Sequence, residues 1–158
     1  MYARLGWLLG LITLGVAGDA AAQRAEIVAG GGVTLSGPDI SHVNGHGMAA
    51  GLIRLTHEFA ARLDIVYVAG EGDLIGLNGG GLLWFGRPEA WVRPYLLVGA
   101  GAASSEGVKK AAINGGLGIR LASPEGVGVF VEARLFKFFQ VTYGTMLFTS
   151  AGLRIPIP

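Results

Sequence analysis

Gly126-Val-Gly-Val-Phe-Val-Glu-Ala-Arg-Leu-Phe136 is the stretch whose reading decides the fold. Val127, Val129, Val131, Ala133 and Leu135 fall in one phase, and Gly128, Phe130, Glu132 and Arg134 in the other. That period of two is the mark of a strand with unlike faces. The segment before it repeats the pattern, with Leu117, Ile119 and Leu121 against Asn114, Gly116, Gly118 and Arg120. The last segment sets Ala151, Leu153 and Ile155 against Ser150, Gly152 and Arg154. Earlier in the chain Leu63, Ile65 and Tyr67 oppose Arg62 and Asp64, and Arg54 sits between Ile53 and Leu55. One phase is aliphatic; the other is charged or very small.

Working outward, the same rhythm of apolar run and turn cluster predicts eight strands. They cover Glu26–Ser36, Met48–Thr56, Ala60–Ala69, Leu74–Phe85, Arg93–Ser104, Ala111–Leu121, Gly126–Phe136 and Tyr143–Ile155. Turn chemistry separates them: Gly37-Pro38-Asp39 to Asn44-Gly45, His57-Glu58, Gly70 to Asp73, Gly86 to Glu89, Ser105-Glu106-Gly107 and Ser123-Pro124-Glu125-Gly126. Glycine recurs too often for helices, since each one costs a helix about 1 kcal/mol relative to Ala.

The composition agrees with an all-β chain and excludes several classes. Of 158 residues, 51% are hydrophobic and 15% charged, too apolar for a disordered protein. The 28 glycines follow no collagen register. A net charge of +1 without a basic block leaves no footprint for nucleic acid. With no cysteine, disulfides, thiolate metal centres and a thiol nucleophile are all excluded.

Residues 1–22 read as a cleavable signal peptide: Arg4, the apolar run Leu5 to Val16, then Ala20-Ala21-Ala22 before Gln23. The run is about a dozen residues where a spanning helix needs ~20. Residues 23–158 are then one domain, and about 17 residues are available for each strand with its connector, enough for tilted spans of ~9 to 11. No other apolar run reaches helical spanning length, although mean hydropathy is +0.53.

Alternation alone leaves the direction of the apolar phase open, because a soluble sandwich or barrel alternates too. The minor phase separates the two. Glycine, Asn114, Phe130 and a few charges would cover a soluble surface poorly, since such surfaces are ~25 to 35% charged. Turned inward, Arg54, Arg62, Asp64, Arg120, Glu132, Arg134 and Arg154 form a structural charge network inside a closed barrel, with the aliphatic phase on lipid. Backbone groups in hydrocarbon must be paired internally, which for strands demands closure. The aromatic residues near strand ends then read as interfacial belts. Trp84, Trp91 and Tyr95, beside Phe85, fall at the end that carries both termini, and Tyr67, Phe138, Phe139 and Tyr143 at the other.

Arg93-Pro-Tyr-Leu-Leu-Val-Gly-Ala-Gly101, Asn114-Gly-Gly-Leu-Gly-Ile-Arg120, Gly128-Val-Phe-Val-Glu-Ala-Arg134 and Ala151-Gly-Leu-Arg154 resemble small outer-membrane β-barrel domains of the OmpA-like and Opa-like class. The resemblance extends over nearly the whole chain after residue 22 and is clearer in its second half. It implies an eight-stranded antiparallel up-and-down transmembrane barrel with periplasmic termini and short periplasmic turns, in which Glu132 and Arg134 join a lumen ion-pair network. It also implies outer-membrane lipids and the barrel-assembly machinery as partners, and a monomeric state. Related barrels usually finish on an aromatic residue, where this chain has Leu153-Arg-Ile-Pro-Ile-Pro158. Pro156 and Pro158 cannot donate to a ladder, so the last strand is expected to stop near Ile155.

Chemistry has thin support. Asp39, Ser41, His42 and His46 offer a nucleophile, a base and an orienter in what reads as the first outer loop, but a triad is defined by geometry and no spacing here imposes it. Four-residue spacing would align His42 and His46 on a helix, which Gly45 and Gly47 oppose. His57-Glu58 reads as a solvated turn. Gly79-Gly-Gly81 and Gly99-Ala-Gly101 lack the following helix of a phosphate loop; they read as strand curvature, or as room beside bulky neighbours such as Phe130. The basic lumen favours anions, but eight strands leave an interior filled by side chains, too narrow to conduct.

The expectation is therefore an exported outer-membrane barrel, structural or surface-interacting and without catalysis, cofactor, metal or nucleic-acid partner, whose loops 37–47 and 105–110 are the interaction surface. A lipid-A-modifying enzyme and a soluble periplasmic barrel with an apolar ligand are the alternatives.

Overall fold

The computed structural model describes residues 25–37, 42–70, 73–121, 126–139 and 144–157. The expected signal peptide, together with Asp39, Ser41 and Tyr143, lies outside them. Eight strands follow in chain order: β1 (Ala25–Ser36), β2 (His42–Arg54), β3 (Phe59–Val68), β4 (Leu74–Trp84), β5 (Val92–Ser105), β6 (Val108–Leu121), β7 (Gly128–Phe138) and β8 (Thr145–Ile157). Each pairs antiparallel with its sequence neighbours, and β8 returns to β1 through pairs running from Ala25–Ile157 to Ser36–Met146. The sheet is a closed barrel in the order β1 to β8. We call the end bearing Ala25 and Ile157 proximal and the opposite end distal.

The faces divide as the side-chain period demands. In β7 even-numbered residues from Gly128 to Phe138 are buried and odd-numbered ones exposed. Leu117 is 65% exposed on the outer wall, whereas Arg120 and Arg134 are each 3% exposed within the lumen. Two apolar clusters fill the lumen around these charges. Leu52, Ala60, Leu82, Trp84, Tyr95 and Leu97 form one; the other includes Met48, Val66, Phe130, Phe136, Phe138 and Phe148. The rings of Phe136 and Phe148 meet at 4.6 Å.

Three boundaries depart from the sequence reading. Residues 42–47, read as loop, extend β2, with His42 opposite Ser36 and His46 opposite Gly32. Alternating glycines at 45 and 47 have no side chains with which to display the period, so only pairing reveals the strand. Between β5 and β6 the connector is just Glu106-Gly107, whose φ values of 50° and 80° close a tight hairpin. Residues 105 and 108–110, read as interaction loop, are ladder instead. Finally, β8 continues through Pro156 to Ile157. Its β7 partner stops at the Gly128–Arg154 pair, so beyond that point only the β1 side is paired, a position where proline is tolerated.

Glycines make room for the large lumen residues. A Cβ on Gly118 would strike the Tyr95 phenol ring. Beside Phe130 stand Gly30 and Gly152, where a Cβ would come within 2.9 and 2.8 Å of its ring. They belong to neither glycine triplet singled out from sequence: Gly99 and Gly101 lie instead against the side chains of Asn114 and Asn78.

Leu63, at mid-height on β3, is 58% exposed on the outer wall. Leu63→Arg is expected to cost ~2 to 4 kcal/mol in urea unfolding from lipid vesicles, and a cost near zero there would count against an apolar surrounding for this wall.

Candidate functional site

The strands deliver their minor phase to one axis, where it forms two stacked polar layers. At mid-height, β3 supplies Arg62 and Asp64 and β7 supplies Glu132 and Arg134. Three strands separate β3 from β7 either way round, so these residues face each other across the lumen. Arg62 grips Glu132 with two bonds, Nη1 to Oε2 at 2.8 Å and Nη2 to Oε1 at 3.1 Å. Arg134 reaches back to Asp64 at 3.2 and 3.3 Å. Within each wall Arg62 Nε lies 3.3 Å from Asp64, and Arg134 Nη1 lies 3.7 Å from Glu132.

Two cations and two anions thus alternate around a square. Its charge sums to zero, which is what makes the burial tolerable. Neighbouring strands add further hydrogen bonds. Tyr95 donates its hydroxyl to Glu132 Oε2 at 2.8 Å, Asn114 Oδ1 accepts from Arg134 at 3.1 Å, and Asn78 donates to Asp64 at 3.4 Å.

Toward the distal end His46 lies between two hydroxyls, Nδ1 3.0 Å from Thr34 Oγ1 and Nε2 2.8 Å from Ser150 Oγ. Its ring also meets Phe148 at 5.0 Å. A base and a hydroxyl, the types weighed from sequence, do come together here in His46 and Ser150; Ser41 lies outside the described residues. His46 is 8% and Ser150 4% exposed, both inside the barrel. Among the described residues no group of three or more His, Cys, Asp or Glu side chains is placed to hold a metal ion.

The proximal layer is different in charge. Glu26 bridges Arg54 at 2.6 Å and Arg154 at 2.5 Å. Arg93 and Arg120 stand beside them, and all four guanidiniums surround the buried Trp84 ring at 4.5 to 6.0 Å from its centroid.

All seven residues assigned to the lumen from sequence lie inside: Arg62, Asp64, Glu132 and Arg134 in the square, Arg54, Arg120 and Arg154 in the proximal layer. The aromatic assignments divide. Tyr67, Trp91 and Phe139 are on the outer surface at 44, 67 and 47% exposure. Trp84, Tyr95 and Phe138 point inward and are corrected accordingly, at 2, 2 and 5%. Height along a strand had suggested a belt, but face decides: Tyr95 shares the phase of Arg93, and Trp84 that of Asn78. The sequence reading misses Glu26, Arg93 and Asn78, reads His46 as a loop residue, and sets Ser150 on the minor phase without giving it a partner. Parity along the strand is the signal that finds two of them: Arg93 shares the buried phase of Tyr95 and Leu97 in β5, and Asn78 that of Leu82 and Trp84 in β4.

No family model matches this chain, and no curated protein matches it. Solved structures do. Neisserial surface protein A matches with a TM-score of 0.66 at 17% identity, over 87% of this chain and 98% of that one. The N-terminal β-barrel domain of Pseudomonas aeruginosa OprF matches at 0.63 and 17%, over 85% and 97%. The outer membrane enzyme PagL matches at 0.56 and 14%, over 84% and 99%. Likeness at these identities shows the fold, that of the small eight-stranded outer-membrane barrels.

Removing one partner from a buried ion pair typically costs ~3 to 5 kcal/mol, because the other charge is stranded. Glu132→Gln is expected to fall in that range by urea unfolding, and Arg62→Met combined with Glu132→Leu to cost clearly less than the two single changes added. Strict additivity would mean that the contact across the lumen carries no coupling.

Proposed function

We propose that this chain is an exported outer-membrane β-barrel with a structural or surface-interaction role and no catalysis. The observation that carries the reading is the direction of the two faces. Leu63, Leu117 and Val131 cover the outside at 58, 65 and 52% exposure while Arg62, Arg134 and Glu132 are shut within. An apolar belt on a closed sheet is stable against acyl chains, where every backbone group must find its partner inside the protein. The likeness to outer-membrane barrels supports the same location. The ion pairs in the lumen argue against a soluble carrier of an apolar ligand.

The partners are then the lipids of the outer membrane and, during insertion, the barrel-assembly machinery; the barrel acts as a monomer. Contact with other molecules falls to the distal rim. There the connectors are short, and the β5–β6 hairpin stands above the last β6–β7 pair, Ala112–Phe138, carrying Lys109 and Lys110 near its tip.

The likeness to PagL makes an outer-membrane enzyme the reading to test against. His46 and Ser150 are enclosed by the wall, out of reach of an ester in the surrounding lipid, which supports the non-catalytic role.

Two experiments test these points. The protein is expected to fractionate with outer membranes and to migrate differently on a denaturing gel before and after boiling; recovery from the soluble periplasm without detergent overturns the location. Lipid A from cells with and without the protein is expected to give the same mass spectrum. A mass difference abolished by His46→Ala would establish catalysis instead.

A further inference from the structure

Among the described residues, the proximal layer holds more positive charge than its neighbours neutralise. Among the described residues it has four buried guanidiniums, those of Arg54, Arg93, Arg120 and Arg154, and one buried carboxylate, Glu26. That carboxylate is already engaged by Arg54 and Arg154. Glu58 and Glu89 sit on the proximal connectors, but both are exposed to solvent, which screens them. Arg93 spends one Nη2 bond on the carbonyl of His57, leaving Nε and Nη1 without a partner among the described residues. Arg120 Nε and Nη2 and Trp84 Nε1 are in the same position.

Every one of these unmatched atoms is a donor. A water molecule accepts hydrogen bonds but leaves the charge as it was, and a buried unpaired charge is far costlier than a buried unpaired dipole. An anion answers both deficits. The space suits a small one: Arg120 lines a cavity of about 10 Å³, together with Arg54, Arg154, Glu26, Gly126, Gly128 and Pro156. That volume admits about one water-sized particle, and Gly126 and Pro156 place it at the proximal mouth.

We propose that the proximal lumen binds a small inorganic anion of about chloride size, held chiefly by Arg120 with Arg54 and Arg154 beside it. The site is a consequence of the lumen charge and does not depend on whether the barrel has a surface partner.

Thermal unfolding of the purified protein in detergent micelles tests this, with ionic strength fixed while gluconate, too large for the cavity, is exchanged for chloride or bromide. A ligand that binds only the folded state raises the midpoint in a saturable way, here by at least ~3 °C. Arg120→Met is expected to abolish the halide dependence and Arg120→Lys to retain it. Should Arg120→Met fail to fold, Arg93→Met, which lowers the charge of the same layer, is expected to weaken the dependence. Equal midpoints in all the salts overturn the proposal. So does stabilisation by phosphate without stabilisation by chloride, which would assign the mouth to an oxyanion, and so does halide dependence that survives in Arg120→Met.

Discussion

The pairing of β8 with β1 is the constraint on which the rest of this molecule depends. It turns an open sheet into a cylinder in which every strand is paired on both sides through its middle, and the wall can present aliphatic side chains outward with its amide groups satisfied. Closure also fixes the inner diameter. Eight strands leave an interior about wide enough for side chains, and whatever the minor phase contains must therefore be packed against itself.

The mid-height square shows how that packing works. Arg62 and Glu132 come from opposite walls, and a single bidentate contact spans the lumen between them. Such a contact is geometrically demanding, because guanidinium and carboxylate must be nearly coplanar for both bonds to form. It joins walls that the hydrogen-bond ladder connects only through three intervening strands. The glycines serve the same economy of space. Gly118 stands where a larger residue would displace Tyr95, and Tyr95 in turn supplies a hydrogen bond to Glu132. The square is neutral, its two cations matched by two anions, whereas the proximal layer around Trp84 is cationic. This asymmetry along the axis distinguishes a structural layer from a candidate binding layer.

Much of this was legible residue by residue. In the segments around Glu132, Arg120 and Arg154, one phase is almost wholly aliphatic and the other almost wholly polar or glycine, so the strand and its two faces can be read together. The first half is less transparent. Val28, Leu52, Leu82 and Leu97 are lumen residues, so apolar side chains occupy both faces there and the contrast disappears. His46 reads as loop for a related reason: its neighbours Gly45 and Gly47 have no side chains with which to alternate. Trp84 and Tyr95 read as belt residues from their distance to strand ends, a coordinate that does not distinguish inside from outside.

Taken by itself, the sequence determined the class of structure: eight short strands, one aliphatic phase, and a set of charges too sparse to cover a soluble surface. Those properties are local, since each depends on a period of two within about ten residues. Which charges meet was decided only by the tertiary structure. Arg62 and Glu132 are 70 positions apart, and their contact follows from strand order, register and closure acting together, none of which any one segment encodes. The same holds for the gathering of Arg54, Arg93, Arg120 and Arg154 around one indole ring, because each comes from a different strand and only the curvature of the closed wall brings them to a common axis.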